Sequence, residues 1–233
     1  MKKRFLALLL VLTMVFSLMP AALAADTVDV SALPEYTAGA DTSAGAAYKI
    51  STEESLRAFA AAVKADDGNG TYNLSGVSFY LANDIALTGA WTPVGNGVSA
   101  VKDFFAGTFD GCGHTISGLS VNLTSNAGAG LFGTVCGATI KNLKVEGNVS
   151  ASNSAFVGGI VGRTLTSATI DSCSFAGTVT STKKSGASNA TAGIVGKVKT
   201  GTVTITNCAN TATVNSRYSW LWRQQQGHDR KLL

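Results

Sequence analysis

Three residues in the middle of the chain carry side chains suited to proton transfer: Asp110, His114 and Asp171. Two carboxylates and an imidazole gathered in one cleft could work on a polysaccharide, one group abstracting a proton while another donates or steadies charge. Their sequence surroundings suggest otherwise. Asp110 stands where the other copies of a repeated phrase carry glycine, so a bend accounts for it. Asp171 follows Ile170 at a position taken by Ser117, Lys141 and Thr206 in the other copies, the mixture expected of a solvated outward face. His114 lies beside Cys112 and between glycine and threonine, one of only 2 histidines. The sequence names no catalytic residue, no cofactor-binding residue and no metal ligand.

The 4 cysteines fall into two columns. Cys112 and Cys136 each lie four residues before an isoleucine, Ile116 or Ile140; Cys173 and Cys208 each lie three after Ile170 or Ile205. Members of a column on adjacent coils would stand about 4.8 Å apart. The first pair, in a glycine-flanked bend, could close as a Cys112–Cys136 disulfide or stay as two thiols. For the second pair the expectation is buried thiols acting as small apolar residues. The close Cys/His spacings of zinc sites are missing. Gly128-Ala129-Gly130-Leu131-Phe132-Gly133 satisfies the dinucleotide-binding pattern literally. That motif requires a helix N-terminus to meet the pyrophosphate, and no helical periodicity follows it here.

These positions gain meaning from a phrase written four times between residues 107 and 214. It reads Gly107-Thr108-Phe109-Asp110 with Thr115-Ile116, then Gly130-Leu131-Phe132-Gly133 with Thr139-Ile140. Gly159-Ile160-Val161-Gly162 with Thr169-Ile170 follows, and then Gly193-Ile194-Val195-Gly196 with Thr204-Ile205. The isoleucines Ile116, Ile140, Ile170 and Ile205 are 24, 30 and 35 residues apart, a spacing typical of solenoids. Short β-branched runs broken by Gly, Asn or Ser argue for brief strands joined by tight bends, and no helical stripe runs through 107–214. Gly118, Asn142, Ser172 and Asn207 stand two residues after the isoleucines; all but serine tolerate a left-handed bend. The expectation is an all-β chain: a right-handed parallel β-helix with the four isoleucines in one inward file. Phe109, Phe132, Val161 and Val195 are expected to make a second file, and Leu119, Leu143, Cys173 and Cys208 a third.

Residues 1–24 read as a secretory signal, with Lys2, Lys3 and Arg4 at its head and Ala22-Leu23-Ala24 at its cleavage site. The product is expected to be secreted or held at a bacterial cell surface, with no membrane span after cleavage. The formal charge of +4 owes much to those first residues and to the last eighteen. The charge-poor body lacks the basic face that nucleic acid requires. Residues 25–47 read as a leader or linker, and 48–106 as an N-terminal cap. Within it, Ser51 and Glu54 match a capping box opening a helix with Leu56, Phe59, Ala60 and Val63 on one face, ended by Asp67-Gly68-Asn69-Gly70. Such a helix would shield the end of a solenoid core. Trp91 is expected to pack beneath a loop.

The glycine-framed copies, together with Trp91-Thr92-Pro93-Val94-Gly95 and Phe105 through Ile116, resemble the GLUG-motif surface proteins of bacteria, named for Gly-Leu-any-Gly. The resemblance covers about residues 48–214, with isoleucine replacing leucine in two copies. It implies a pectate-lyase-like right-handed β-helix in large exported proteins, often assigned to adhesion, and carries no catalytic residues.

Residues 216–233 break the habits of the chain: Trp220, Trp222, Gln224-Gln225-Gln226 and four basic residues arrive where another coil should begin. A frameshift explains them economically. Gly227-His228-Asp229-Arg230-Lys231-Leu232 can be encoded so that dropping one base gives Gly-Thr-Ile-Glu-Asn-Cys, close to Val203-Thr204-Ile205-Thr206-Asn207-Cys208. The rival is a genuine basic, aromatic tail that binds an anionic polymer. The expected function is a structural or adhesive surface module, a piece of a larger protein, whose partner is a glycan or a protein of a host or neighbouring cell. The alternative is a lyase or hydrolase acting on polysaccharide in a groove along the helix.

Overall fold

The computed structural model describes residues 28–38, 40, 43, 45–63, 73–95, 103–154, 156–183 and 190–216. The expected signal segment, the end of the capping helix at residues 67–70, and the tail beyond Ser216 lie outside them.

The chain runs through β1 (Ala47–Ile50), α1 (Glu53–Ala62), β2 (Ser78–Leu81) and β3 (Ile85–Ala86), then β4 (Thr108–Asp110), β5 (Thr115–Leu123) and β6 (Phe132–Val135). Two full coils follow. The first holds β7 (Thr139–Lys141), β8 (Lys144–Ala151), β9 (Phe156–Gly158) and β10 (Val161–Thr164). The second holds β11 (Ala168–Asp171), β12 (Ser174–Ser181), β13 (Ala190–Ala192) and β14 (Val195–Val198). β15 (Val203–Thr206), β16 (Ala209–Asn210) and β17 (Thr213–Ser216) begin another. The pairings are parallel, between successive coils. They build four faces. The first is β1-β2-β4-β7-β11-β15 and the second β3-β5-β8-β12, with β16 and β17 both on β12. The third is β9-β13 and the fourth β6-β10-β14. The architecture is a parallel β-solenoid with one short helix.

The inward file of the first face is Phe79–Phe109–Ile140–Ile170–Ile205. Ile116 does not belong to it: it lies between Ile85 and Val145 on the second face, fully buried. The Thr-Ile phrase at 115–116 is therefore a coincidence of composition, and Thr108-Phe109-Asp110 is the true counterpart of Thr139-Ile140-Lys141. The extra residues of the Cys112-Gly113 turn, between Asp110 and Thr115, caused the slip. Phe109 likewise leaves its expected file, and the fourth face stacks Phe132–Val161–Val195 without it. Leu119 pairs with Gly147 beside a register shift at Gly118. The corner between first and second faces is held in the left-handed region by Cys112, Asn142, Ser172 and Asn207, with φ of 50°, 51°, 52° and 52°. Serine thus makes the bend that its type left in doubt, and Cys112 makes it in place of Gly118.

The six glycines of the repeated motif serve close approach, and none of them has a positive φ. A Cβ on Gly162 would stand 2.6 Å from the Ala129 amide nitrogen and 2.7 Å from the Gly133 carbonyl oxygen. One on Gly196 would meet the carbonyls of Gly162 and Val157, both at 2.6 Å. Gly133 is confined by the Gly128 and Gly95 carbonyls, and Gly130 by those of Gly158 and Ile160. Gly159 packs on the Phe175 ring and Gly193 on the Asn210 side chain. At this corner backbone lies on backbone, leaving no room for a methyl group.

The N-terminal end is closed by α1. Its N-cap is Thr52, whose hydroxyl accepts from the Ser55 amide while Ser55 Oγ accepts from the Thr52 amide. The reciprocal cap is therefore Thr52 with Ser55, one residue along from the Ser51–Glu54 pairing that the sequence suggested. Phe59 drives into the core end, with ring centroids 4.6 Å from Phe79, 5.4 Å from Phe105 and Phe109, and 6.3 Å from Phe132. Part of the expected linker also packs here. The Tyr36 amide bonds the Lys49 carbonyl and the Lys49 amide bonds the Pro34 carbonyl, both at 2.9 Å, which pairs the otherwise open edge of β1. Trp91 is buried as expected, its Nε1 donating to the Leu131 carbonyl at 3.0 Å.

Candidate binding face

The first face aligns a long run of side chains in register. Where Phe79, Phe109, Ile140 and Ile170 point inward, the residues on either side point out. One outward file reads Ser78–Thr108–Thr139–Thr169–Thr204; the other reads Lys49–Tyr80–Asp110–Lys141–Asp171–Thr206, in which Asp110 is itself buried at 8% exposure. Parallel pairing spaces each file at about 4.8 Å, so a hydroxyl ladder runs beside a ladder of alternating charge.

The carboxylates of this face are tied to the coil corners. Asp171 accepts from Thr206 Oγ1 at 2.6 Å, Asn207 Nδ2 at 2.9 Å and Ser172 Oγ at 3.2 Å. These bonds, the Thr206 hydroxyl foremost, hold its carboxyl below the usual value of 3.8. Asp110 accepts from the Cys112 amide at 2.9 Å and from Asn142 Nδ2 at 3.0 Å, with Lys141 Nζ at 3.2 Å. Asp84, which sequence reasoning passed over, accepts from the Thr115 amide at 2.9 Å and lies 3.1 Å from His114 Nδ1. The Thr115 amide first and His114 second lower its carboxyl. In all three cases a carboxylate on one coil grips the corner of the next.

This geometry separates the three candidate proton-transfer residues. His114 pairs with Asp84, while Lys141 stands between Asp110 and Asp171, which are two rungs or about 10 Å apart. The three do not converge on one point.

The cysteines divide differently from expectation. Cys112 and Cys136 are free thiols, Cys112 in the first-to-second-face corner and Cys136 in the turn between β6 and β7. Their shared spacing to an isoleucine came from the misplaced Ile116. Partial desolvation of its sulfur, then the Asp110 charge, pushes the Cys112 thiol up to about 11 although the residue reaches the surface. Cys173 and Cys208 do sit together: the Cys173 amide donates to Cys208 Sγ at 3.4 Å, and Cys173 is buried. The Cys173 thiol bonds Cys208 and draws it below the usual thiol value of 9.0, while Cys173 itself is pushed up.

A second cluster, in which Thr134 is buried and Arg163 and Lys197 are half-buried, also has no counterpart in the sequence reading. On the fourth face Thr134–Arg163–Lys197 form a file, with Arg163 Nε donating to Thr134 Oγ1 at 3.1 Å. The Arg163 guanidinium and Lys197 ammonium lie 5.2 and 5.1 Å from the centroid of the Phe156 ring. Nothing in the linear spacing of 156, 163 and 197 announces this grouping; only the register brings it about. Among the described residues no cluster of His, Cys, Asp or Glu is arranged to hold a metal ion, and no helix is long and apolar enough to cross a membrane.

Fold and outward ladders define a parallel β-solenoid with a regular polar face. Comparison with known proteins adds one sequence relative: 37% identity over 111 residues, 47% of this chain, to halomucin of Haloquadratum walsbyi. The matched stretch is 1% of halomucin's own length. No known family's sequence profile matches the chain. Among solved structures it is similar to a protein from Bacteroides ovatus provisionally assigned as an immunoglobulin A1 protease. That likeness has 18% identity and a TM-score of 0.38, over 72% of this chain and 67% of the other.

Proposed function

We propose that this chain is an exported, non-enzymatic surface module whose first face binds an extended, polyhydroxylated partner, a glycan strand above all. The observation that carries this reading is the paired ladder, Ser78–Thr108–Thr139–Thr169–Thr204 beside Lys49–Tyr80–Asp110–Lys141–Asp171–Thr206. A hydroxyl repeats on five successive rungs of one file, and the other file adds the Lys49 and Lys141 ammonium groups and the single Tyr80 ring, offering donors and acceptors to a polymer that itself repeats. The GLUG-like glycine motif and the signal-like N-terminus support an extracellular setting, and so does the likeness to a segment of halomucin. The carboxylates already occupied by Thr206, Asn207 and Asn142 favour a scaffold over proton transfer.

The test is a screen of neutral and acidic polysaccharides for both retention and cleavage. Binding should fall at least about tenfold in a Tyr80→Ala, Thr139→Lys, Thr169→Lys triple variant whose melting temperature stays near that of the parent, since outward substitutions perturb stability little. Turnover abolished by Asp110→Ala or Asp171→Ala would sink the proposal in favour of a groove enzyme.

A further inference from the structure

The two ends of the solenoid are finished differently. At the first, α1 inserts Phe59 over the core. At the other, the inward file continues into the open: Ile140 and Ile170 are fully buried, yet Ile205 is 38% exposed. Val198, last in β14, and Val214, in β17, are 44% and 39% exposed. A single coil cannot bury its own apolar side, so a file that ends this way calls for another coil.

We infer that this end receives a further coil of the same repeat, and that its sequence is written one base out of frame in the codons for residues 219–233. The genetic code constrains the shifted reading tightly. TGG for Trp220 followed by the first base of any leucine codon gives glycine; TGG for Trp222 followed by the first base of any arginine codon gives glycine again. Between them the Leu221 codon admits phenylalanine, and Arg223 with Gln224 admits a third glycine. The three glutamines then give two residues that are each asparagine or serine, followed by lysine or arginine. Gly227, His228, Asp229 and Arg230 admit Gly-Thr-Ile-Glu. Lys231 with Leu232 gives only asparagine or serine, and Leu232 with Leu233 admits cysteine. One admitted reading is Ala-Gly-Phe-Gly-Gly-Asn-Asn-Lys-Gly-Thr-Ile-Glu-Asn-Cys, beside the chain's own Ala192-Gly193-Ile194-Val195-Gly196 and Thr204-Ile205-Thr206-Asn207-Cys208.

Each shifted residue meets the demand of a structural position. The first and last glycines of Gly-Phe-Gly-Gly fall under Gly193 and Gly196, where a Cβ has no room. Threonine extends the hydroxyl ladder, and isoleucine covers Ile205. The enforced asparagine or serine lands in the left-handed corner that Asn142, Ser172 and Asn207 occupy. Cysteine follows Cys208 in its inward column.

Two measurements decide the matter, independently of what the first face binds. Sequencing the gene across 219–233 and onward should show Gly-Phe-any-Gly and Thr-Ile-any-Asn in the shifted frame, open beyond Leu233. A stop codon there, or a base that removes the last motif glycine, overturns the inference. In protein, replacing residues 219–233 by the shifted segment should raise the melting temperature by about 5 °C and slow Ile205 amide exchange. A scrambled segment of the same composition should do neither. Equal stabilisation by the scrambled segment overturns the inference, and so does a parent chain that sediments as a dimer with the Ile205 amide already protected.

Discussion

A single methyl group separates the two kinds of glycine in this chain. Gly162 has an ordinary φ but no space; Gly137 has φ +72° and nothing within 4 Å of a built Cβ. Gly137→Ala should therefore cost about 1 kcal/mol, the price of a left-handed alanine. Gly162→Ala presses a methyl group against the backbone on two sides, where no side chain can swing away, and should cost about 3 kcal/mol or prevent folding. Urea unfolding of both variants checks the order; equal losses would mean that the glycine motif serves bending instead of close approach. The cysteines offer a second comparison. Cys208 is half-buried with its thiol shifted down by Cys173, whereas the exposed Cys112 is shifted up to about 11. Alkylation by iodoacetamide at neutral pH, mapped by mass spectrometry, should label Cys208 before Cys112, because the thiolate is the nucleophile. Cys173→Ala should slow the labelling of Cys208, and labelling ranked by exposure alone would refute the assignment.

At the scale of strands and corners, the sequence was legible wherever local chemistry and register agreed. Gly-any-any-Gly, Thr-Ile and the Asn or Ser bend recur at one place in each of the last three coils, so Ile140, Ile170 and Ile205 could be stacked by inspection. The first coil was misread because the side chains satisfying its inward position differ in type. Phenylalanine at 109 fills the slot that isoleucine fills later, and a nearby Thr-Ile offered a false anchor seven residues on. Tertiary register, which no local pattern records, decided between them. The capping pair slipped by one residue for a similar reason, since serine at 55 performs the role usually sought in glutamate or glutamine. The corners also set the response to acid. Asp84, Asp171 and Glu53 all have carboxyls lowered by hydrogen bonds from neighbouring elements, Glu53 chiefly through the Thr88 amide and hydroxyl. Groups depressed in the folded chain add stability above their unfolded values near 3.8 and 4.5, and that stability is lost as pH falls through the lower folded values. The urea midpoint should hold between about pH 7 and pH 5 and decline steadily from about pH 4 to pH 2. Asp171→Asn should flatten part of that decline; a midpoint unchanged down to about pH 2 would show that these corners do not clamp the coils.

The whole molecule behaves as a stack whose rungs depend on the neighbours above and below. Stability in such a stack is close to a sum of coil terms and nearest-neighbour terms, so a coil with one neighbour is weaker than a coil with two. β7 and β8 lie between coils on both sides, and Ile140 and Val145 are buried. Among the described residues β15 and β17 have pairing on one side only, and Ile205 and Val214 are 38% and 39% exposed. The N-terminal end has no such asymmetry, because Phe59 and the 34–36 segment supply the missing contacts. Opening should therefore begin at β15–β17 and travel inward, and hydrogen exchange can see it. Amides of β15 and β17 should exchange at least about a hundredfold faster than those of β7 and β8, with β11 and β12 between them. Exchange that is uniform across the faces would mean that the coils unfold as one unit. Protection greatest at β15 would mean that this end is already covered. A graded profile places the weakest coupling where Ile205 lies open, and it makes the stability of every coil before it depend on what is set against that residue.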